Sequence, residues 1–449
     1  MNMNVITITD CGGEAIPTST PLVCALSVGV QRDIDIDQTT IINEQLALAA
    51  KQQKGLFFPS GKYRVDGNIN ISSSHSSLVG SRSGTTIFYN LMNEAPVVSF
   101  FDTTAEIGNI IISDIIFDNI TINLRGLSKS NIIIRYNAFI NSKSTDSTKA
   151  QIYVSHSPYI IKGNVLMRGV GYPGVGISTY KCVDTIISYN YLGSTSNQTK
   201  AQTYIDSRTS SLLTKLINAK KSGKITLGDD QGNYISAWYA TDQLRDSKFF
   251  RNFIQGNTLQ KLYNPTTQLN DIERDHIIYI KQYDNVEVYQ NYFNGWPGDS
   301  HGQVKFRNAQ NLTFVANYID SASFDGRAYD NSTYMYMRYT YIFNNYIKEG
   351  KVTYWQNFTD TETKKIDVVD FLVFDNTFFA NDLNIARITS TQRNISRNFF
   401  YTSTSNLYDG TTTHVVANKF TDITLSDIKN KVHHEKRKFL TMQYILPSS

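Results

Sequence analysis

Residues 277–293 read Ile277-Ile-Tyr-Ile-Lys-Gln-Tyr-Asp-Asn-Val-Glu-Val-Tyr-Gln-Asn-Tyr-Phe293, and residues 303–319 read Gln303-Val-Lys-Phe-Arg-Asn-Ala-Gln-Asn-Leu-Thr-Phe-Val-Ala-Asn-Tyr-Ile319. Laid over each other on Asn291 and Asn317, both show alternating apolar residues and then one phrase: Asn, a variable residue, a large apolar residue. Outward from this pair the phrase returns at Asn137, Asn164, Asn190, Asn257, Asn345, Asn376, Asn398 and Asn418. The steps are 27 and 26 residues from Asn137 to Asn190, 26 and 28 from Asn291 to Asn345, and 22 and 20 from Asn376 to Asn418. Alternation is the period of a strand with one buried face, and recurrence about every 20 to 30 residues marks a solenoid. The chain therefore reads as an all-β stack of coils with one long flat face, the kind of surface that holds polymers.

The totals agree. At 449 residues the chain exceeds one ordinary core, a limit that a solenoid escapes because each coil buries its core against the next. An apolar share of 41% with 28 Tyr and 24 Phe argues against disorder, and only 9 Pro suits stacked strands that cannot spare N–H donors. The net charge of +4 misleads, because the basic tail 421–449 supplies +3 of it over residues 425–449, as Lys429, Lys431, Lys436, Arg437 and Lys438 against Asp427 and Glu435. A charged tail reads as a solvated end, and no basic face or module for nucleic acid is visible. Cys11, Cys24 and Cys182 lack metal-ligand spacing; a Cys11–Cys24 bridge and unpaired thiols stand equally open. No apolar run reaches membrane-spanning length, and Met1 to Gly13 shows neither the basic nor the apolar region of a secretory leader.

Along the chain, residues 1–36 read as an irregular segment with β character. Asp37-Gln-Thr-Thr before Ile41, Ile42, Leu46, Ala49 and Ala50, with Gly55 beyond, predicts a capped amphipathic helix over 37–54 that ends in a glycine stop and plugs the open end of the stack. Coils then run to about residue 420. Two departures break the rhythm: an insertion from Gly193 to about Phe250, with helical spacing in Leu212-Leu-Thr-Lys-Leu-Ile-Asn, and a shorter loop, Ser321–Thr333. Both are expected to wall a groove beside the same coils. The asparagines are expected in the turns, where the residue tolerates a left-handed backbone and its amide can stack between coils.

The opening phrase Gly55-Leu-Phe-Phe-Pro-Ser-Gly-Lys-Tyr-Arg-Val, after a capping helix and before short strands that lead to Gly80, resembles the entry of the pectate-lyase-like superfamily. That resemblance covers roughly 37–420 as a pattern and implies a right-handed parallel β-helix.

The aligned coils also carry chemistry. Ile278 and Ile280 fall over Val304 and Phe306 and point inward; Tyr279, Lys281, Lys305 and Arg307 then point outward, with Lys281 stacked on Arg307 and Tyr279 on Lys305 at about 4.8 Å per rung. Like charges on adjacent strands repel, so this face calls for acidic partners or an anionic ligand. Tyr336 and Arg338 in the next coil, and Tyr153 and Tyr180 in earlier ones, extend it into an aromatic and basic stripe suited to an acidic sugar chain. Lys281 with Asp284-Asn285-Val286 and Asn291-Tyr-Phe, then Arg307 one coil on, resembles the β-helical alginate lyase and chondroitinase B family. The resemblance implies Lys281 as base and Arg307 as its partner. Members of that family place a calcium-holding glutamate before the lysine strand; here stand Asp275 and His276, with Glu273 nearby, so no cofactor or metal is expected and Lys305 or Arg338 would balance the carboxylate, with calcium as the alternative. β-Elimination needs that charge balanced, a base for the α-proton and an acid for the departing oxygen. Tyr279, Tyr336 and His276 are the acid candidates, and His301 a further binding candidate. Asp299, Asp325, Asp330 and the segment Asp271 to Asp275 are reserve carboxylates for a hydrolase.

The expectation is a polysaccharide lyase acting on an acidic, uronate-containing polysaccharide, located outside the cell or on a virion, with no nucleic-acid or membrane partner. The alternatives are a tailspike-type glycoside hydrolase, for which a homotrimer is expected, a uronan C5-epimerase, and a non-catalytic carbohydrate-binding module.

Overall fold

The computed structural model describes residues 11–421, apart from segments that include 143–149, 169–173, 228–233, 256–260, 295–302 and 330–335; beyond Ile347 it gives chiefly strand backbones. The coil is visible in one turn of chain. Strands Ile132–Arg135, Ala138–Ser142 and Ala150–Ser155 follow one another, and each pairs in parallel with its counterpart in the next coil: Tyr159–Lys162, Val165–Arg168 and Gly174–Tyr180. Repetition builds three long sheets, here called first, second and third in the order the chain visits them. The second has 13 strands; the first and third join into one of 23 because Ile278–Tyr289 and Gln303–Val315 run through both without a break. Parallel crossovers in one sheet wind right-handed, so the architecture is a right-handed parallel β-helix.

Its interior is filled by columns. Ile112, Ile134, Ile161, Ile187, Phe249, Val288, Phe314 and Ile342 stand one above the other in the first sheet, all buried. β-Branched and aromatic side chains suit this pleated, fully covered surface.

The repeated asparagine forms the corner between first and second sheets. Asn137, Asn164, Asn190, Asn252, Asn291, Asn317, Asn345 and Asn376 make one ladder: the backbone N–H and side-chain amide of each donate to Oδ1 of the next, at 2.8–3.2 Å. The left-handed backbone lies one residue earlier than expected, at Tyr136, Gly163, Tyr189, Arg251, Gln290, Ala316 and Asn344. The rung expected at Asn257 belongs to Asn252, whose phrase Asn252-Phe-Ile fits the pattern as well; Asn257, Asn398 and Asn418 lie outside the described residues, as does the tail from 422.

The capping helix is Thr39–Lys51, and it buries Ile42, Leu46 and Ala49 on the first coil. Asp37 Oδ1 accepts from the Thr39 N–H at 3.0 Å and the Thr39 hydroxyl at 2.6 Å. Gly55 is not its stop: Gln53 takes the left-handed turn, and Gly55 is already a strand residue where a Cβ would sit 2.6 Å from that of Ser77. The N-terminal segment joins the helix as well, through Leu22–Cys24 paired on Gly55–Phe58 and bridged from Cys24 to Cys11.

The insertion falls within the expected span but is shorter, and it covers a different face of the coil. Tyr234–Thr241 and Leu244–Phe250 are ordinary rungs of the third and first sheets, so the coil resumes by Tyr234. The inserted helices, Gln198–Ala201 and Ser207–Lys221, cover the outside of the second sheet. Tyr204, Leu213 and Leu216 form a second apolar core there with Val165, Tyr191, Phe253 and Tyr292. The rings of Tyr191, Phe253, Tyr292, Tyr318 and Tyr346 stack with centroids 4.7–5.4 Å apart. The expected loop Ser321–Thr333 holds a third-sheet strand, Ser323–Tyr329. No helix among the described residues is long and apolar enough to cross a membrane.

Candidate functional site

The paired strands Ile278–Tyr289 and Gln303–Val315 match residue for residue. Ile278 faces Val304, Tyr279 faces Lys305, Ile280 faces Phe306 and Lys281 faces Arg307. Ile278, Ile280, Val304 and Phe306 are fully buried inside the coil, which sends the alternate residues to the outer face of the third sheet. The two cations predicted to be vertical neighbours therefore are so, and both Lys281 and Arg307 are half-buried.

A small aromatic cluster supports them. Arg307 Nη1 donates to the Tyr279 hydroxyl at 3.2 Å. The Lys305 ammonium lies 5.8 Å from the centroid of the same ring, and His276 and Tyr239 flank it with centroids 5.1 Å away. Tyr279, Lys305 and His276 are nearly covered, at 7%, 9% and 5% exposure, so they pack as a platform beneath the more open Lys281 and Arg307. A cation over a ring is stabilised by the π-face, which offsets part of the crowding of charge.

Lower on the same face Tyr153 stands in the column Tyr153, Ser178, Tyr239, Tyr279, Lys305. Burial, working against the Arg125 guanidinium 4.7 Å from the ring centroid, holds the Tyr153 phenol above its ordinary range. Tyr180 lies one column over, level with Ser155 and Thr241. Tyr239 escaped the sequence reading because it fell within the stretch taken for an insertion; its signal was the alternation of Tyr234–Thr241. His156 also escaped. It ends Ala150–Ser155 at φ +65° with its ring 5.5 Å from Tyr180, and burial, then Lys181, holds its imidazole below the ordinary histidine range.

Two predicted members do not belong. Tyr336 and Arg338 lie in Tyr336–Phe343, a first-sheet strand, where Arg338 pairs with Gln310. The third-sheet rung above Arg307 is Arg327, and above Lys305 is Asp325. The third-sheet strand Ser323–Tyr329 and the first-sheet strand Tyr336–Phe343 are separate elements, so counting back from Asn345 no longer reaches the third sheet. The inserted helices do not wall this face either, since they cover the second sheet. His301, Asp299, Asp275 and Asp330 lie outside the described residues; Asp271 and Glu273 belong to Leu269–Glu273, which forms an antiparallel hairpin with Lys261–Asn264. Among the described residues no three His, Cys, Asp or Glu side chains stand close enough to hold a metal ion.

No protein-family model matches the chain, and no curated protein matches it. Solved structures similar to it include the Azotobacter vinelandii mannuronan C-5 epimerase AlgE6 A-module, at TM-score 0.43 and 10% identity over 89% of this chain and 100% of that one. The Yersinia enterocolitica family 28 exopolygalacturonase gives 0.40 and 10% over 91% and 80%. The Streptococcus pneumoniae surface adhesin PfbA gives 0.38 and 12% over 90% and 92%.

Proposed function

We propose that the protein binds an acidic, uronate-containing polysaccharide on the outer face of the third sheet and cleaves it by β-elimination. The observation behind this reading is the register that sets Lys281 on Arg307, with Arg307 also donating to the Tyr279 hydroxyl. Two stacked cations repel, and a carboxylate lying across both rungs turns that repulsion into attraction.

The roles follow from what each group can do. Arg307 offers a planar, permanently charged fork that balances a uronate carboxylate and so acidifies the neighbouring C–H. Lys281, one rung away, takes that proton as the general base. Tyr279 protonates the departing glycosidic oxygen. The C–H and C–O bonds break, a C=C bond forms, and the products are a shortened chain and an unsaturated uronide. Tyr239 and Tyr153 give the sugar rings apolar faces along the column.

The test is incubation with a panel of acidic polysaccharides while following ultraviolet absorbance of the unsaturated uronide and release of reducing ends. A lyase raises both together. Reducing ends without absorbance identify a hydrolase, exchange of solvent deuterium into intact polymer identifies an epimerase, and retained affinity without either identifies a binding module; each of the three overturns the proposal.

A further inference from the structure

A second cationic site lies far from the third sheet, at the corner where the inserted helix Ser207–Lys221 meets the first and second sheets. Arg82 comes from the loop after Leu78–Gly80, Arg135 from the end of Ile132–Arg135, and Arg208 and Lys215 from the helix. The three arginines gather around one carboxylate, while Lys215 Nζ donates to the carbonyls of Arg82 and Gly84. Arg208 Nη2 pairs with Asp114 Oδ1, and Arg82 Nε lies 3.8 Å from Asp114 Oδ2. Arg135 stands level with Ser113, beside Asp114 in the chain. The other nearby acid, Asp206, is committed elsewhere: it accepts from the Thr209 N–H at 2.8 Å and from the Tyr136 hydroxyl at 3.1 Å.

Three features say that Asp114 does not complete this cluster. First, three guanidiniums meet one available carboxylate among the described residues, and a like-charged group at such a joint costs stability unless it is balanced. Second, Arg135 Nε is buried without a hydrogen-bond partner, and so is Asp114 Oδ2. Burial, then the Arg208 and Arg82 charges, holds the Arg135 guanidinium below its ordinary range, and Asp114 only partly offsets this. Third, a small cavity of about 80 Å³ opens at the joint, lined by Arg82, Asp114, Tyr136, Arg208, Lys215 and Ser81. The Arg208 guanidinium is braced 3.9 Å from the centroid of the Tyr136 ring, which fixes one fork toward the space.

We propose that this joint binds a compact oxyanion, sulfate or phosphate, free or as an ester on a saccharide. Guanidinium forks match the paired oxygens of such groups, and a partly desolvated cluster makes each contact stronger than it would be in water. The site stands whatever reaction the third sheet carries out.

The experiment is calorimetric titration of the whole protein with sodium sulfate, and separately with inorganic phosphate, at constant ionic strength held with sodium chloride. One saturable site per chain is expected. Arg208→Gln and Arg82→Gln should each weaken it at least tenfold. Asp114→Asn, which keeps a residue type tolerant of its φ of +63°, should tighten it by removing the competing charge. Lys221→Gln, exposed at the far end of the same helix, should leave it unchanged. Parallel titrations with a sulfated or phosphorylated oligosaccharide and its unsubstituted parent separate ester from free ion: tighter binding of the ester assigns a saccharide, equal binding a free anion. Heats that never saturate overturn the proposal, as does binding that survives both arginine variants. If Arg208→Gln fails to fold, Arg82→Gln decides, because nearly half of that side chain already faces solvent.

Discussion

Two columns of like residues run along this coil axis and obey opposite rules. At the corner between first and second sheets, asparagine stands on asparagine from Asn137 to Asn376. On the third sheet, cation stands on cation at Lys281 and Arg307. An amide both donates and accepts, so a copy of itself is its best neighbour, and every buried polar atom is met by repetition alone. An ammonium or guanidinium only donates, so its copy is the worst neighbour available. Repetition of the first kind builds a structure; repetition of the second kind has to be balanced, by acidic neighbours or by a bound anion. That difference is why the proposed site is placed on the cations and the scaffold on the amides.

That contrast can be broken at several points. The largest effect is expected at Asn317, whose side-chain amide donates to the carbonyls of Val288 and Val315 and whose Oδ1 accepts twice from Asn291. Asn317→Asp removes two donors and buries a charge, and chemical denaturation should register a loss of about 5 kcal/mol; Asn317→Ala should cost about 3 kcal/mol. At the cations the same kind of change should leave the fold and remove the chemistry. Lys281→Ala and Arg307→Ala are each expected to lower kcat about 10²–10⁴-fold in the uronide assay while folding stability stays within about 0.5 kcal/mol. Comparable losses of stability at both columns would erase the distinction.

Smaller effects sharpen it. Ala316 precedes the corner asparagine at φ +54°, a conformation that strains any side chain, so Ala316→Gly should raise stability by about 0.5–1 kcal/mol in the same denaturation measurement. Lys281→Met should relieve the like-charge pair and add about 0.2–0.5 kcal/mol, more at low salt than at high. The least effect is expected at Asp37. Burial pushes its carboxyl up, but N–H bonds from Asp66 and Thr39, with the Thr39 hydroxyl and the Arg64 charge, hold it below the ordinary aspartate range. A carboxyl depressed on folding contributes stability above its unfolded value, and that contribution fades as pH falls through the folded one. Hydrogen exchange should therefore show the helix Thr39–Lys51 opening more readily in acid, and Asp37→Asn should flatten that dependence.

Much of this was legible in the residues. Alternation and the asparagine phrase sufficed for the coil, and the register of 277–293 on 303–319 could be read because first- and third-sheet strands there are one unbroken run. The same counting failed at Arg338, where the chain leaves the third sheet after Tyr329 and re-enters the first at Tyr336. Asn252 was hidden because the insertion stretches one step of the ladder to 62 residues. The inserted helix could be read from Leu212, Leu213 and Leu216, but not the sheet it covers. That depends on the outward aromatic after each asparagine, Tyr191, Phe253 and Tyr292, whose direction only the corner geometry reveals. Arg82, Arg135 and Arg208 meet from three distant segments, and no spacing announces them.

The backbone N–H groups of the corner asparagines all point the same way. Each asparagine hands its backbone N–H forward to the Oδ1 of the coil that follows, while its side-chain amide donates both forward to that oxygen and back to a carbonyl of the coil before. A ribosome releases the chain in that same direction, so the newest finished coil ends in a backbone donor still waiting for a mate. The next stretch of polypeptide to emerge carries the one acceptor that fits, and winding proceeds as a ratchet whose teeth are cut by synthesis itself.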